Sequence, residues 1–207
     1  MRLILVRHGE SVGNAAGVLQ GRLDYGLSDL GLRQAHLTGG HLADLGADRV
    51  VSSPLLRAAT TAAVIADAMR LEIGLEAGLA EYDIGEGAGL TPSQLREKFP
   101  ELLKSRARGE RFLFPGEEGR DAFHERLADA LERLRQFEGT TVAVAHGGVI
   151  GAICHMVVGL DLDRPGAFMV GNCSLTEITR DRAGRLVIAR HNDMCHLSGI
   201  ETTFDRG

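Results

Sequence analysis

Leu3-Ile4-Leu5-Val6-Arg7-His8-Gly9-Glu10-Ser11 runs four aliphatic residues straight into an arginine and a histidine standing side by side, with a glycine behind them. An unbroken aliphatic run of that length reads as a strand covered on both faces, as in parallel sheets. The strand is expected over residues 2–6, and the glycine lets the chain turn away sharply. A second run of the same kind lies far downstream, where Thr141-Val142-Ala143-Val144-Ala145 ends on His146-Gly147-Gly148. Ligands of open α/β sheets bind at the carboxyl ends of the strands. Two such ends that each deliver a histidine, one of them beside an arginine, point to an anion site holding a nucleophile.

Working outward, Ser28 is placed to cap a helix running towards Leu45, with Gly46 as its stop. Arg49 to Ser52 reads as a short buried strand. Ser53 then caps a helix that has Pro54 in its first position and runs through Ala58 to Met69. A strand is expected near Glu72 to Glu76. Thr91-Pro92 opens a helix reaching Leu103, and Lys104 to Glu118 reads as a looser stretch. Phe123, Leu127, Leu131 and Leu134 share one face of a helix over Asp121 to Phe137. Another helix follows Ala145 through Ile150, Ile153 and Val157. Ser174 to Thr179 and Leu186 to His191 read as a hairpin turning across Asp181 to Gly184. The last residues are polar and are expected to fray. Strands alternating with helices imply an α/β fold, a three-layer α/β/α sandwich on a mostly parallel central sheet. One domain is expected over residues 1–207, with a small helical lid insertion at roughly 86–118.

The 207-residue length fits one domain, and the apolar fraction of 44% and charged fraction of 25% are those of a soluble globular protein. A net charge of −5 argues against a nucleic-acid partner, which rewards basic surfaces. No apolar stretch is long enough to span a bilayer. Met1-Arg2 leads directly into a strand with no secretory signal, so a cytoplasmic location is expected. Cys154, Cys173 and Cys195 form no CxxC pair and read as reduced thiols. Edge strands and apolar helix faces leave a homodimer open.

Arg7-His8-Gly9-Glu10, with Asn14 behind it, resembles the opening motif of the histidine phosphatase superfamily, the phosphoglycerate-mutase-like family. Gln20-Gly21, Ser53-Pro54 with Arg57, Glu81 with Gly85, and His146-Gly147 resemble its later motifs, in the family's order and across nearly the whole chain. The resemblance implies a phosphatase acting on a small phosphorylated metabolite. It makes His8 the phosphorylated residue, Arg7, Arg57 and His146 its pocket, and Glu81 the proton donor. Asn14, Gln20 and Gly21 match positions lining the phosphate or the substrate entrance.

Elementary chemistry gives the same residues the same tasks. A phosphomonoester carries about two negative charges, and the planar cationic forks of Arg7 and Arg57 match its oxygens in pairs. The chain after His146 enters a helix, so Gly147 can offer a backbone N–H where the helix dipole favours an anion. Asn14 could add a side-chain donor. His8 attacks phosphorus only when neutral, and a backbone carbonyl near Gly9 is placed to hold its other ring N–H. A phosphohistidine splits one difficult displacement into two easier ones. His146, if protonated, would stabilise charge on the equatorial oxygens. Glu81 would give the leaving alkoxide its proton and then activate water. Asp83 and Glu86 are its rivals nearby. No cofactor and no metal are needed, because the arginines supply the positive charge.

His36, His41, His124 and His155 read as structural or solvated. His191, Cys195 and His196 are spaced too irregularly for a metal set. Lys98, Lys104, Arg106 and Arg108 read as a solvated helix face in preference to a cationic lid. Phe112 and Phe114 would line a substrate's organic end or anchor the lid. Two other functions stay in view. A 2,3-bisphosphoglycerate-dependent phosphoglycerate mutase would carry a longer insert and an Arg-His-Tyr-Gly run after the glutamate, where this chain has Tyr82-Asp83-Ile84-Gly85. A non-catalytic module binding phosphorylated ligands would be free to lose either the nucleophile or the acid, and this chain keeps both.

Overall fold

Along β1 (Arg2–Arg7), Leu3 and Leu5 are buried in one apolar cluster and Ile4 and Val6 in another. Successive side chains of a strand point to opposite faces, so β1 is packed on both sides. The computed structural model describes residues 1–108, 110–161 and 167–200, apart from the Arg106 side chain. Among these, six strands form one sheet in the order β3-β2-β4-β1-β5-β6. β2 (Arg49–Ser52), β3 (Ile73–Leu75) and β4 (Thr140–Ala145) run parallel with β1, while β5 (Leu175–Arg180) and β6 (Leu186–Asp193) add an antiparallel hairpin.

On one face, α6 (Arg120–Arg135) and α7 (Gly147–Val158) bury Phe123, Leu127, Ile150 and Ile153 against Leu3, Leu5 and Ala143. On the other, α2 (Asp29–Leu42) and α3 (Leu56–Met69) bury Leu42, Ala62 and Ile65 against Ile4, Val6 and Val142. Each of the larger side chains, Leu, Ile, Val or Phe, contributes about 1.5–3 kcal/mol by leaving water. The result is the three-layer α/β/α arrangement with a mostly parallel sheet. No helix among the described residues is long and apolar enough to cross a membrane.

Several boundaries differ from the sequence reading. Between β1 and Ser28, Ser11 and Asn14 form a capping box on a short helix not expected from the sequence, α1 (Val12–Ala15). The helix after Ser53-Pro54 begins only at Leu56, and its N-cap is Leu55. Thr91 does cap α4 (Pro92–Lys98), but Pro100 ends that helix at Phe99, and α5 (Glu101–Ala107) follows. Lys104 therefore lies in a helix and not in a loose stretch. The Asp181 carboxylate closes the final hairpin by accepting from the N–H groups of Ala183 and Arg185. The terminal residues expected to fray lie outside the described residues.

Candidate active site

β2, β4 and β1 end level with one another, which brings three residues to one spot. The His8 N–H donates to the Ala145 carbonyl at 3.0 Å, and the Ser53 N–H donates to the Val144 carbonyl at 2.9 Å. His8 and His146 leave neighbouring strands with ring centroids 5.1 Å apart. The loop beyond His8 is pinned by Thr61 of α3, which accepts from the Gly9 N–H, and by Gln34 of α2, which accepts from the Glu10 N–H. Gly9 owes its place to crowding and not to a turn that needs positive φ: a Cβ there would sit 2.5 Å from the Gly31 carbonyl oxygen.

His8 is buried, and its Nδ1 lies 2.7 Å from the Gly9 carbonyl. A carbonyl only accepts, so Nδ1 carries the proton. The Arg57 Nε–H donates to Nε2 at 3.2 Å, so Nε2 presents a lone pair. Burial, reinforced by the charges of Arg7 and Arg57, holds the imidazole pKa well below its ordinary 6.5. Arg57 is itself buried, with Nη1 on the Leu23 carbonyl and Nη2 on the Gly21 carbonyl, both at 2.8 Å.

His146 is fully buried, with Nε2 2.7 Å from the Ser53 hydroxyl. Burial, with the charges of His8, Arg57, Arg7 and Arg126, also holds its pKa well below 6.5. The condition set on His146 in the sequence, that it be protonated, is thus disfavoured in this state. Its Nδ1 is a buried atom with no protein partner, as is Nε of Arg7, whose Nη1 reaches the Val170 carbonyl. Buried polar atoms are nearly always partnered, and these two leave hydrogen-bonding capacity near His8 that an anion's oxygens can use.

The Glu81 carboxylate accepts from the Tyr82 N–H at 2.9 Å and from the Gly148 N–H at 3.1 Å. Glycine at 148 makes room for it, since a Cβ there would stand 2.5 Å from Glu81 Oε1. The rivals are occupied elsewhere, Asp83 with the Gly85 N–H and Glu86 with Lys98 at 3.0 Å. Gly147 lies against the Arg7 guanidinium.

The entrance residues behave differently from the core of the site. The Ser11 hydroxyl lies 2.7 Å from Oε1 of Gln20 and 3.0 Å from Oδ1 of Asn14 and shares its one proton between them, which braces the loop. Gly21 contributes its carbonyl to Arg57. Two residues that the sequence reading did not assign to the site also contribute. Ser53 orients His146, and buried Asn172 donates to the His8 carbonyl at 3.0 Å. The Ser-Pro motif gave a signal for Ser53, which was read as a cap, whereas nothing local marks Asn172.

Lys98, Lys104, Arg108 and Arg111 each pair with a nearby glutamate. The basic stretch is thus a solvated, compensated surface. Phe99, Phe112 and Phe114 pack on one another with centroids 5.1–5.6 Å apart, so the phenylalanines anchor this segment. Among the described residues, no three His, Cys, Asp or Glu side chains are gathered to hold a metal ion.

A family model described as the histidine phosphatase superfamily (branch 1) matches residues 3–194. Phosphoserine phosphatase 1 of Hydrogenobacter thermophilus is 35% identical over 200 residues, covering 95% of this chain and 94% of its own length. A protein named "Probable phosphoglycerate mutase GpmB" from Erwinia tasmaniensis is 28% identical over 211 residues, covering 95% of each chain. The crystal structure of a phosphoserine phosphatase from Entamoeba histolytica in complex with 3-phosphoglyceric acid superposes with a TM-score of 0.81 at 28% identity, covering 95% of this chain and 98% of the other.

Proposed function

The chain belongs to the histidine phosphatase superfamily and is a small-molecule phosphatase, and from that premise we propose that it hydrolyses the phosphomonoester of a small hydroxy acid of the phosphoserine type through a phosphohistidine on His8. The observation that carries the reading is the state of His8: Nδ1 bonded to the Gly9 carbonyl, and Nε2 left as a lone pair facing the Arg57 N–H.

In the proposed cycle, Nε2 attacks phosphorus and the P–O bond to the alcohol breaks. Arg7, Arg57 and His146 hold the equatorial oxygens, and the Arg57 N–H passes from Nε2 to oxygen as the N–P bond forms. Glu81 delivers its proton to the leaving alkoxide. The carboxylate so formed takes a proton from water, which attacks the phosphohistidine and frees inorganic phosphate and His8. Asn14, Gln20, Gly21 and Gly147 line the path to this centre, and the segment at roughly 86–118 forms a lid of the single domain. No metal ion enters any step.

Phosphoserine as the first substrate to try comes from the names of the relatives above. The test is phosphate release from phosphoserine and a panel of phosphomonoesters in excess chelator, for wild type beside His8→Ala, with acid-quenched protein assayed for acid-labile phosphate. Turnover and labelling by wild type alone is the expected result. Turnover that survives His8→Ala would sink the mechanism. Isomerisation of phosphoglycerate without phosphate release would favour the mutase reading.

A further inference from the structure

Glu81 stands on a stretch with little regular structure of its own, between the single 3-10 turn Ala77–Leu79 and another at Gly85–Gly87. Irregular segments move more than the elements they join. A proton donor on such a segment needs an external support, because a misplacement of about 1 Å costs on the order of 100-fold in rate.

The support comes from α6. Nη1 of Arg126 donates to the carbonyls of Gly78 and Ala80, both at 2.8 Å. Nη2 donates to the Glu81 carbonyl at 3.1 Å and to the Glu118 carboxylate at 2.8 Å. Arg22 reaches the same place from the entrance loop, with Nε on the Glu81 carbonyl at 3.3 Å and Nη2 on the other Glu118 oxygen. One carbonyl is thus held by two guanidinium groups, and both are tied to one carboxylate. Arg22 also follows Gly21, whose carbonyl accepts from Nη2 of Arg57. The dipeptide Gly21-Arg22 therefore links the arginine touching His8 to the backbone of Glu81.

We propose that Arg126, with Arg22 and Glu118, is a positioning clamp that sets the Glu81 carboxyl in register with His8 for proton transfer to the leaving group. The proposal rests on Glu81 being the donor. Arg126 directs its hydrogen bonds to the backbone at 78–81, which aims the Glu81 side chain, and to Glu118, while its charge also bears on His146.

The experiment compares wild type, Arg126→Met, Glu81→Gln and the double variant on phosphoserine and on p-nitrophenyl phosphate, whose leaving group needs no proton. Inhibition by inorganic phosphate reports the anion pocket separately. Arg126→Met is expected to lower kcat on phosphoserine about 10- to 100-fold, to affect nitrophenyl turnover far less, and to leave phosphate inhibition unchanged. In the Glu81→Gln background it should add nothing. Glu118→Gln, a milder change to the same clamp, is read by the same criteria if Arg126→Met does not fold. Equal loss on both substrates, or full loss in the Glu81→Gln background, would overturn the clamp while leaving Glu81 as donor. Equal loss on both substrates by Glu81→Gln itself would remove the donor reading, and the clamp with it.

Discussion

Nε of Arg57 lies 3.2 Å from Nε2 of His8 and donates to it. In the proposed cycle the contact keeps a proton off the attacking nitrogen and places a cation where the arriving phosphoryl group needs one. A lysine at 57 would keep the charge and lose the planar fork that also holds Leu23 and Gly21. Arg57→Lys should therefore lower kcat/KM on phosphoserine by about 100- to 1,000-fold, the loss typical of one preorganised donor. A loss below tenfold in steady-state kinetics would remove Arg57 from the pocket.

The depressed pKa values of His8 and His146 make stability depend on pH with a definite sign. Unfolded histidines take up protons near 6.5, while these two stay neutral in the folded protein. As pH falls below about 6.5 the unfolded state gains the protons, so stability falls, by up to about 1.4 kcal/mol per pH unit for each histidine. Urea unfolding at pH 7 and pH 5.5 should show the decline, and a double variant with asparagine at both positions should show less of it. For the same reason His8 should put no acid limb near pH 6.5 on kcat/KM.

Gly148→Ala would bring a methyl carbon to 2.5 Å from Glu81 Oε1. The atom displaced is the end of a flexible side chain, so the fold should survive while the donor is pushed aside. We expect at least a tenfold loss of kcat on phosphoserine with a nearly unchanged melting temperature. Gly147→Ala meets Arg7 only at 3.5 Å, an ordinary contact, and serves as the milder control.

Ser53→Ala removes the hydroxyl 2.7 Å from His146 Nε2. The ring should lose its fixed orientation, lowering kcat by about 10- to 100-fold. Ring-nitrogen NMR of His146 should change, and that of His8 should not.

Burial pushes the thiols of Cys154 and Cys173 up to about 12, whereas Cys195 is exposed. A thiol reagent at neutral pH should titrate Cys195 alone in the native protein and all three cysteines in denaturant.

The strands that end at Arg7 and at Ala145, just before His8 and His146, are legible because unbroken aliphatic runs announce buried strands, and their ends are where such sheets bind ligands. Ser53 was visible but misread: Ser-Pro before a helix looks like a cap, yet the helix begins later and the hydroxyl serves His146. Arg126 and Asn172 could not be found this way. Each acts on a backbone carbonyl of a residue far along the chain, Asn172 on His8 and Arg126 on the loop at Glu81, and no local pattern encodes such a pairing. The charge state of His146 stays open in the sequence for a different reason: it follows from burial among cations, which appears only once the chain has folded.

β4 lies between β1 and β2 in the sheet, although β1 ends at Arg7 and β2 at Ser52, both far ahead of Thr140 in the sequence. A nascent chain ending before Thr140 would have no strand to join its first two, and His8 would face an empty slot where His146 belongs. Closing contacts over so many residues is slow relative to local structure. Catalytic competence should thus arrive late and abruptly during synthesis, and a partly made chain should never release phosphate from the metabolites around it.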